Sequence, residues 1–243
     1  MVSFVKSGQL SAVEEEPLKI ERTSKRGHGS GGFKIEIMFP GLARKSRDSG
    51  LGTIGRIDDA SIVPGTLVAM HPHQDDEILT YLRRGRVMHK DTVGDVEWFS
   101  PTRLMLMGAG RQFQHEELVD PNGDNLRALQ IFLRPNSAGL EPQVQFHDFG
   151  NPTSEGKWRL IAGPTKNDPL QVRSETWVED GRFERGLTVS LPQSKVVSQT
   201  RLLYVFDGQI AVGQLILLSG DAAILPVSLN SLSTVTDSDR ACL

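Results

Sequence analysis

Cysteine is all but missing from this chain: Cys242 is the one thiol in 243 residues. A lone thiol can neither close an intramolecular disulfide nor supply a thiolate cluster for a metal, and it fits a reducing, cytoplasmic setting. Long apolar runs are missing too. The stretches 202–206 and 210–218 are short or interrupted, well below the roughly 20 residues a bilayer-spanning helix needs. The opening residues have no basic segment leading into an apolar one, and acids arrive by Glu14; no secretory signal is read there, and no membrane partner is expected. Nor is there an excess of positive charge: Lys plus Arg is 27 against 30 for Asp plus Glu, a net charge of −3. That balance argues against direct binding of nucleic acid, which calls for a strongly basic face.

Helical periodicity is equally scarce. Apolar residues fall in short runs such as 33–39, 77–82, 103–107, 126–133, 201–206 and 222–225, bounded by Gly, Pro, Asp or Asn. This is the pattern of strands and turns, so the chain reads as all-β, with too many strands for one small sandwich. Between 136 and 169 the composition shifts toward Gly, Pro, Asn and Ser, which suggests a connection between two halves. The expected organisation is an N-terminal domain over 1–135, a connecting segment over 136–169 and a C-terminal domain over 170–243. The Ser- and Thr-rich end from Ser228 reads as a short helix or a frayed tail.

A weak internal repeat supports two halves. Tyr81-Leu-Arg-Arg-Gly85-Arg-Val87 parallels Tyr204-Val-Phe-Asp-Gly208-Gln-Ile210, each reading as a hairpin around a turn glycine. Matching Gly85 to Gly208 shifts the sequence by 123 residues and sets His71, His73 and Glu77 on Ser194, Val196 and Thr200. The second half therefore lacks counterparts of these side chains.

Those side chains matter because of their spacing. His71-Pro72-His73 is followed, 42 residues after His73, by His115-Glu116-Glu117. On a strand, residues i and i+2 share a face, so His71 and His73 would point one way and His115 and Glu117 would meet them from a neighbouring strand. Three imidazoles and a carboxylate suit one divalent first-row transition metal, and the hard carboxylate tilts the choice toward Fe(II) or Mn, with Ni, Cu and Zn compatible. Glu77 shares parity with the two leading histidines and competes with Glu117 as the carboxylate.

Other features read as structural. Gly50-Leu-Gly52-Thr-Ile-Gly55 matches a dinucleotide-binding pattern, but the adjoining residues 56–61 look like strand and turn, not a helix. His89 reads as a surface or cross-strand hydrogen-bonding residue, Arg111 as half of an ion pair with Glu116, and Trp98 and Phe99 as core or pocket-mouth aromatics. The basic run from Arg22 to Arg26 beside His28 reads as a solvated loop.

The segment Gly65-(x)5-His71-x-His73-(x)3-Glu77-(x)7-Gly85 follows the first motif of the cupin superfamily, with one extra residue before the last Gly. More narrowly, His71-Pro72-His73, Glu77-x-x-Thr80-Tyr81-Leu82, Gly85-x-Val87-x-His89-x-Asp91, Gly108-Ala-Gly-Arg111 and His115-x-Glu117 resemble the pirin family over about residues 50–135. The resemblance implies a bicupin, two stacked β-barrels of the jelly-roll type, with one metal, usually iron, held in the first barrel by His71, His73, His115 and Glu117. It gives Glu77 a supporting or pocket role.

Some members of that family show quercetin 2,3-dioxygenase activity, whereas others are described as regulatory partners of transcription factors. The resemblance thus implies a metal-dependent oxidoreductase acting on a small enol or phenol, with Glu117 or Glu77 accepting the released proton. A metal- or redox-sensing protein that binds a protein partner, or a metal-free bicupin, is the alternative. Two departures stand out. Gln74-Asp75-Asp76 replaces the family's common Arg-Gly-Phe, and Pro101-Thr102-Arg103 replaces its Pro-Gly-Asp turn. The first makes the mouth of the site more acidic and less suited to an anionic flavonoid.

Overall fold

Glu77–Arg84 and Leu126–Leu133 are apolar along most of their length because they are the inner strands of a large antiparallel sheet. Its order is Gln143–Asp148, Arg103–Gly108, Glu77–Arg84, Leu126–Leu133, Ile54–Ile62, Phe33–Met38 and Arg22–Gly27. A second antiparallel sheet runs Leu67–His73, Phe113–Val119, Val87–Asp91 and Val96–Phe99. The computed structural model describes residues 16–27, 32–196, 200–235 and 241–242. Over 54–133 the chain passes back and forth between these sheets. Leu79, Leu104, Leu106 and Met107 from the larger sheet and Val87, Phe99, Phe113 and Val119 from the smaller one enter one core. Each such side chain contributes about 2 kcal/mol by leaving water.

The second half repeats the plan on a smaller scale. Leu18–Ile20, Ala222–Leu225 and Arg201–Tyr204 form one sheet; Thr188–Ser190, Ser231–Thr234, Gln209–Val212 and Leu215–Leu218 form the other. The three-stranded sheet is buried on both faces. Leu203, Val205, Ala223 and Leu225 point into the second core, while Tyr204, Phe206, Ala222 and Ile224 point into the first. This is why 201–206 and 222–225 are continuously apolar instead of alternating.

Four expectations change. The repeated Gly85 and Gly208 do not turn hairpins. Each carries the chain from one sheet to the other, and their φ values of 86° and 90° are nearly the same, in the left-handed region that glycine enters freely. Within the segment expected to connect the halves, Gln143–Asp148 is instead the outer strand of the large sheet, paired along Arg103–Gly108. The end is neither helix nor fray in its described part: Ser231–Thr234 pairs with Gln209–Val212 and with Thr188–Ser190. The Arg22 run is likewise a strand, Arg22–Gly27, paired with Phe33–Met38; His28 lies outside the described residues. No helix among the described residues is long and apolar enough to cross a membrane.

Candidate metal centre

The smaller sheet builds the site. Phe113–Val119 alternates strictly between buried and less buried residues, and the inward set is Phe113, His115, Glu117 and Val119. Its neighbour Leu67–His73 places His71 directly opposite His115. The register then slips: Glu117 lies opposite Val68, so three residues of one strand span two of the other. Such irregularities re-aim side chains, and here the Ala69 carbonyl comes within 2.9 Å of His71 Nδ1.

Nitrogens of His71, His73 and His115 lie within 4.8 Å of one another. His71 Nε2 and His115 Nε2 face each other at 3.1 Å. Two imidazole nitrogens bound about 2.1 Å from one ion at neighbouring positions stand about 3 Å apart, so this pair has the spacing of a chelate. Glu117 is 8 % exposed. Its Oε2 accepts a 3.3 Å hydrogen bond from Gln130 Nε2, and its Oε1 is buried with no partner. An unpartnered buried carboxylate oxygen is costly unless a cation or proton meets it. The donor set therefore fits a metal. Glu117 groups at this spacing with His115 and His89 and not with His71 and His73, so the four predicted ligands fall in two clusters that share His115.

Burial dominates the electrostatics. It pushes the Glu117 carboxyl up to about 7, with Gln130 offsetting a little. It drives His115 down to about 2, helped by the neighbouring imidazoles His71, His73 and His89. The His71 ring is lowered by the same desolvation. A metal needs the imidazoles neutral and the carboxylate ionised. Because burial raises the Glu117 value and lowers those of His71 and His115, its proton returns before theirs on acidification. Metal affinity is therefore expected to fall about tenfold per pH unit below about pH 7, and to level off above it. Chelator competition from about pH 8 to about pH 5 checks this, and Glu117→Gln should flatten the profile.

Glu77 is placed otherwise than strand parity suggests. It opens a strand of the large sheet, is 1 % exposed, and has both oxygens engaged by Arg173: Oε2 by the backbone N–H and Oε1 by Nε, each at 2.8 Å. It joins neither of the two ligand clusters found among the described residues. Gly108 makes room for this contact, since a Cβ there would collide with the Arg173 guanidinium. Arg111 pairs with Glu141 at 2.6 Å and not with Glu116, which takes Lys90 at 3.0 Å. Trp98 lies under Arg86, and Phe99 is core. The glycine-rich Gly50–Gly55 segment leads into the strand Ile54–Ile62, with no helix to receive a phosphate.

At the mouth, Asp75 adopts φ 54°, its N–H bonds the Gly110 carbonyl, and its Oδ1 accepts the Gly139 N–H at 2.6 Å. Asp76 Oδ2 stands 3.6 Å from His73 Nδ1. Two residues escape the motif-based reading as parts of the site, His89 and Asp91. Of the two readings of His89, the cross-strand hydrogen-bonding one holds and the surface one does not: His89 is 0 % exposed, its Nε2 meets Asp91 Oδ2 at 2.8 Å, and its Nδ1 meets His115 Nδ1 on the neighbouring strand at 3.3 Å. The signal was the His89-x-Asp91 spacing, which puts both on one strand face.

Two jelly-roll halves sharing a doubly buried sheet, with a histidine cluster found, among the described residues, in the first half alone, define a bicupin. Residues 45–133 match the Pirin family model, which bears out the resemblance over that segment. It is 29% identical over 158 residues to a quercetin 2,3-dioxygenase of Escherichia coli, a match covering 64% of this chain and 68% of that one. The fold is that of the bacterial pirin YhhW of Escherichia coli, solved in complex with nickel(II), at TM-score 0.75 and 21% identity over 93% of this chain and 95% of the other. A quercetin 2,3-dioxygenase of Acinetobacter baumannii superposes at TM-score 0.73 with 21% identity, covering 94% of this chain and 86% of its own.

Proposed function

We propose that this chain is a metal-dependent dioxygenase of the quercetinase type, acting on a small enol or phenol and loaded most favourably with Fe(II). The observation that carries the reading is the convergence of His71 Nε2 and His115 Nε2 at 3.1 Å, with the unpartnered Oε1 of buried Glu117 belonging to a second cluster that shares His115. His71, His73, His115 and Glu117 would hold the ion. When bound, it would supply Lewis-acid polarisation of a substrate hydroxyl and lower its pKa.

The chain's own residues do the rest. Gln130 Nε2 fixes the Glu117 carboxylate through Oε2 and leaves Oε1 as the atom able to take a substrate proton. Glu77 is not available for the task, because Arg173 occupies both of its oxygens. Asp76, beside His73, sets a negative charge at the mouth and disfavours anionic substrates relative to neutral ones.

The test is elemental analysis of the purified protein together with oxygen consumption in the presence of flavonols and other enediols. One metal per chain with substrate-dependent oxygen uptake is expected. Stoichiometric metal with no uptake across that panel would refute the dioxygenase reading, and failure to bind metal after reconstitution would refute the metal centre as well.

A further inference from the structure

We propose that Asp91 and His89 are positioning residues that fix the tautomer of His115, so that its Nε2 lone pair is turned toward the metal. The proposal rests on the metal-centre reading and adds residues that the four-ligand set does not include.

A carbonyl can only accept a hydrogen bond. The Ala69 oxygen, 2.9 Å from His71 Nδ1, therefore assigns the hydrogen of that ring to Nδ1 and leaves a lone pair on Nε2. On the other side, Asp91 Oδ1 accepts the backbone N–H groups of Val93, Gly94 and Asp95 at 2.9, 2.9 and 3.1 Å. These hold the carboxylate in one orientation, with Oδ2 at 2.8 Å from His89 Nε2. A carboxylate also only accepts, so a His89 imidazole with one ring hydrogen carries it on Nε2 and presents a lone pair at Nδ1. That lone pair faces His115 Nδ1 at 3.3 Å. One hydrogen must lie between them, and it belongs to His115 Nδ1.

The consequence is at the far side of the ring. His115 Nε2 is left with a lone pair that faces the lone pair of His71 Nε2 across 3.1 Å. Two lone pairs aimed at one point repel unless a cation stands there. His89 is 0 % exposed and Asp91 is 8 % exposed, so water has little means of rearranging this order. His89 also groups with His115 and Glu117 as a possible ligand. Both of its nitrogens are already engaged, however, which favours the positioning role.

Asp91→Asn tests the proposal. The three backbone N–H groups would retain the amide oxygen, directing its NH2 at His89 Nε2. His89 would then carry its hydrogen on Nδ1 and donate to His115, moving the His115 hydrogen to Nε2, where the metal must bind. Long-range proton–nitrogen correlation spectra of the metal-free protein should show His115 protonated at Nδ1 in the wild type and at Nε2 in the variant. Nickel(II) affinity, measured by chelator competition, should fall 10–100-fold, the range for loss of an outer partner of a metal ligand. His89→Asn, whose carbonyl can accept the His115 hydrogen, should bind nickel(II) close to the wild-type level.

An Nε2-protonated His115 in the metal-free wild type, or wild-type nickel affinity in Asp91→Asn, would overturn the proposal. So would loss of nickel in His89→Asn as complete as in His115→Ala, which would make His89 a ligand. If Asp91→Asn does not fold, the wild-type spectrum and His89→Asn decide. A wild type that binds no nickel(II) yet shows the Nδ1 tautomer would refute the metal reading and leave the tautomer assignment standing.

Discussion

Glu77→Ala is expected to lower the melting temperature by about 10 °C while leaving metal stoichiometry at the wild-type level. Glu77 accepts the backbone N–H and the Nε of Arg173 and is 1 % exposed. Removing it strands a largely buried guanidinium and a backbone donor. Breaking a buried pair from one side costs about 3–5 kcal/mol; Arg173 keeps some exposure and its bond to the Glu141 carbonyl, so the lower end applies. At about 2–4 °C per kcal/mol for a chain of this length, the shift is near 10 °C. Thermal denaturation followed by circular dichroism measures it, with elemental analysis on the same sample. An unchanged melting temperature together with lost metal would return Glu77 to the site.

The opposite signature is expected at the ligands. His115→Ala and His73→Ala should each weaken metal binding by more than about 100-fold, beyond the 10–100-fold typical of outer partners. His115 is the central member, belonging to both ligand clusters, with one nitrogen facing His71 and the other facing His89. Its loss should also cost some stability, because its ring is buried against Phe113 and three imidazoles. The His73 side chain is 12 % exposed and meets Asp76, His71, His115 and Phe132, so its truncation should cost the metal-free protein less stability than that of His115. Chelator competition at about pH 8, where Glu117 is ionised, gives the affinities. A His73→Ala variant holding metal at wild-type affinity would remove His73 from the ligand set.

The two variants also divide what could be read from the sequence from what could not. His71, His73, His115 and Glu117 stood out because a period of two on a strand is a local property: residues i and i+2 share a face whatever the rest of the fold does. The same rule misplaced Glu77. Its parity with His71 and His73 counts only if one strand continues, and the chain leaves the small sheet after His73 and enters the large one at Glu77. His89 was passed over for a related reason. Its environment depends on Val87–Asp91 pairing with Phe113–Val119, which sets Asp91 opposite His115 and His89 opposite Glu117. The repeat around Gly85 and Gly208 was legible as a glycine requirement. That it marks a crossing between sheets, not a hairpin, was a matter of partners.

By itself the sequence determined an all-β chain with a histidine-rich centre in its first half, and it offered a weak repeat that matches His71, His73 and Glu77 to Ser194, Val196 and Thr200. Period and composition carry that much, since they act over a few residues. Only the tertiary structure decided which carboxylate is free for a metal and which is spent on an arginine 96 residues away. It alone decided where the hydrogen on His115 sits. The physical reason is the same for both: a buried polar atom is defined by the partner that satisfies it, and the partners of Glu77 and His115 come from strands whose neighbours are chosen by the whole sheet.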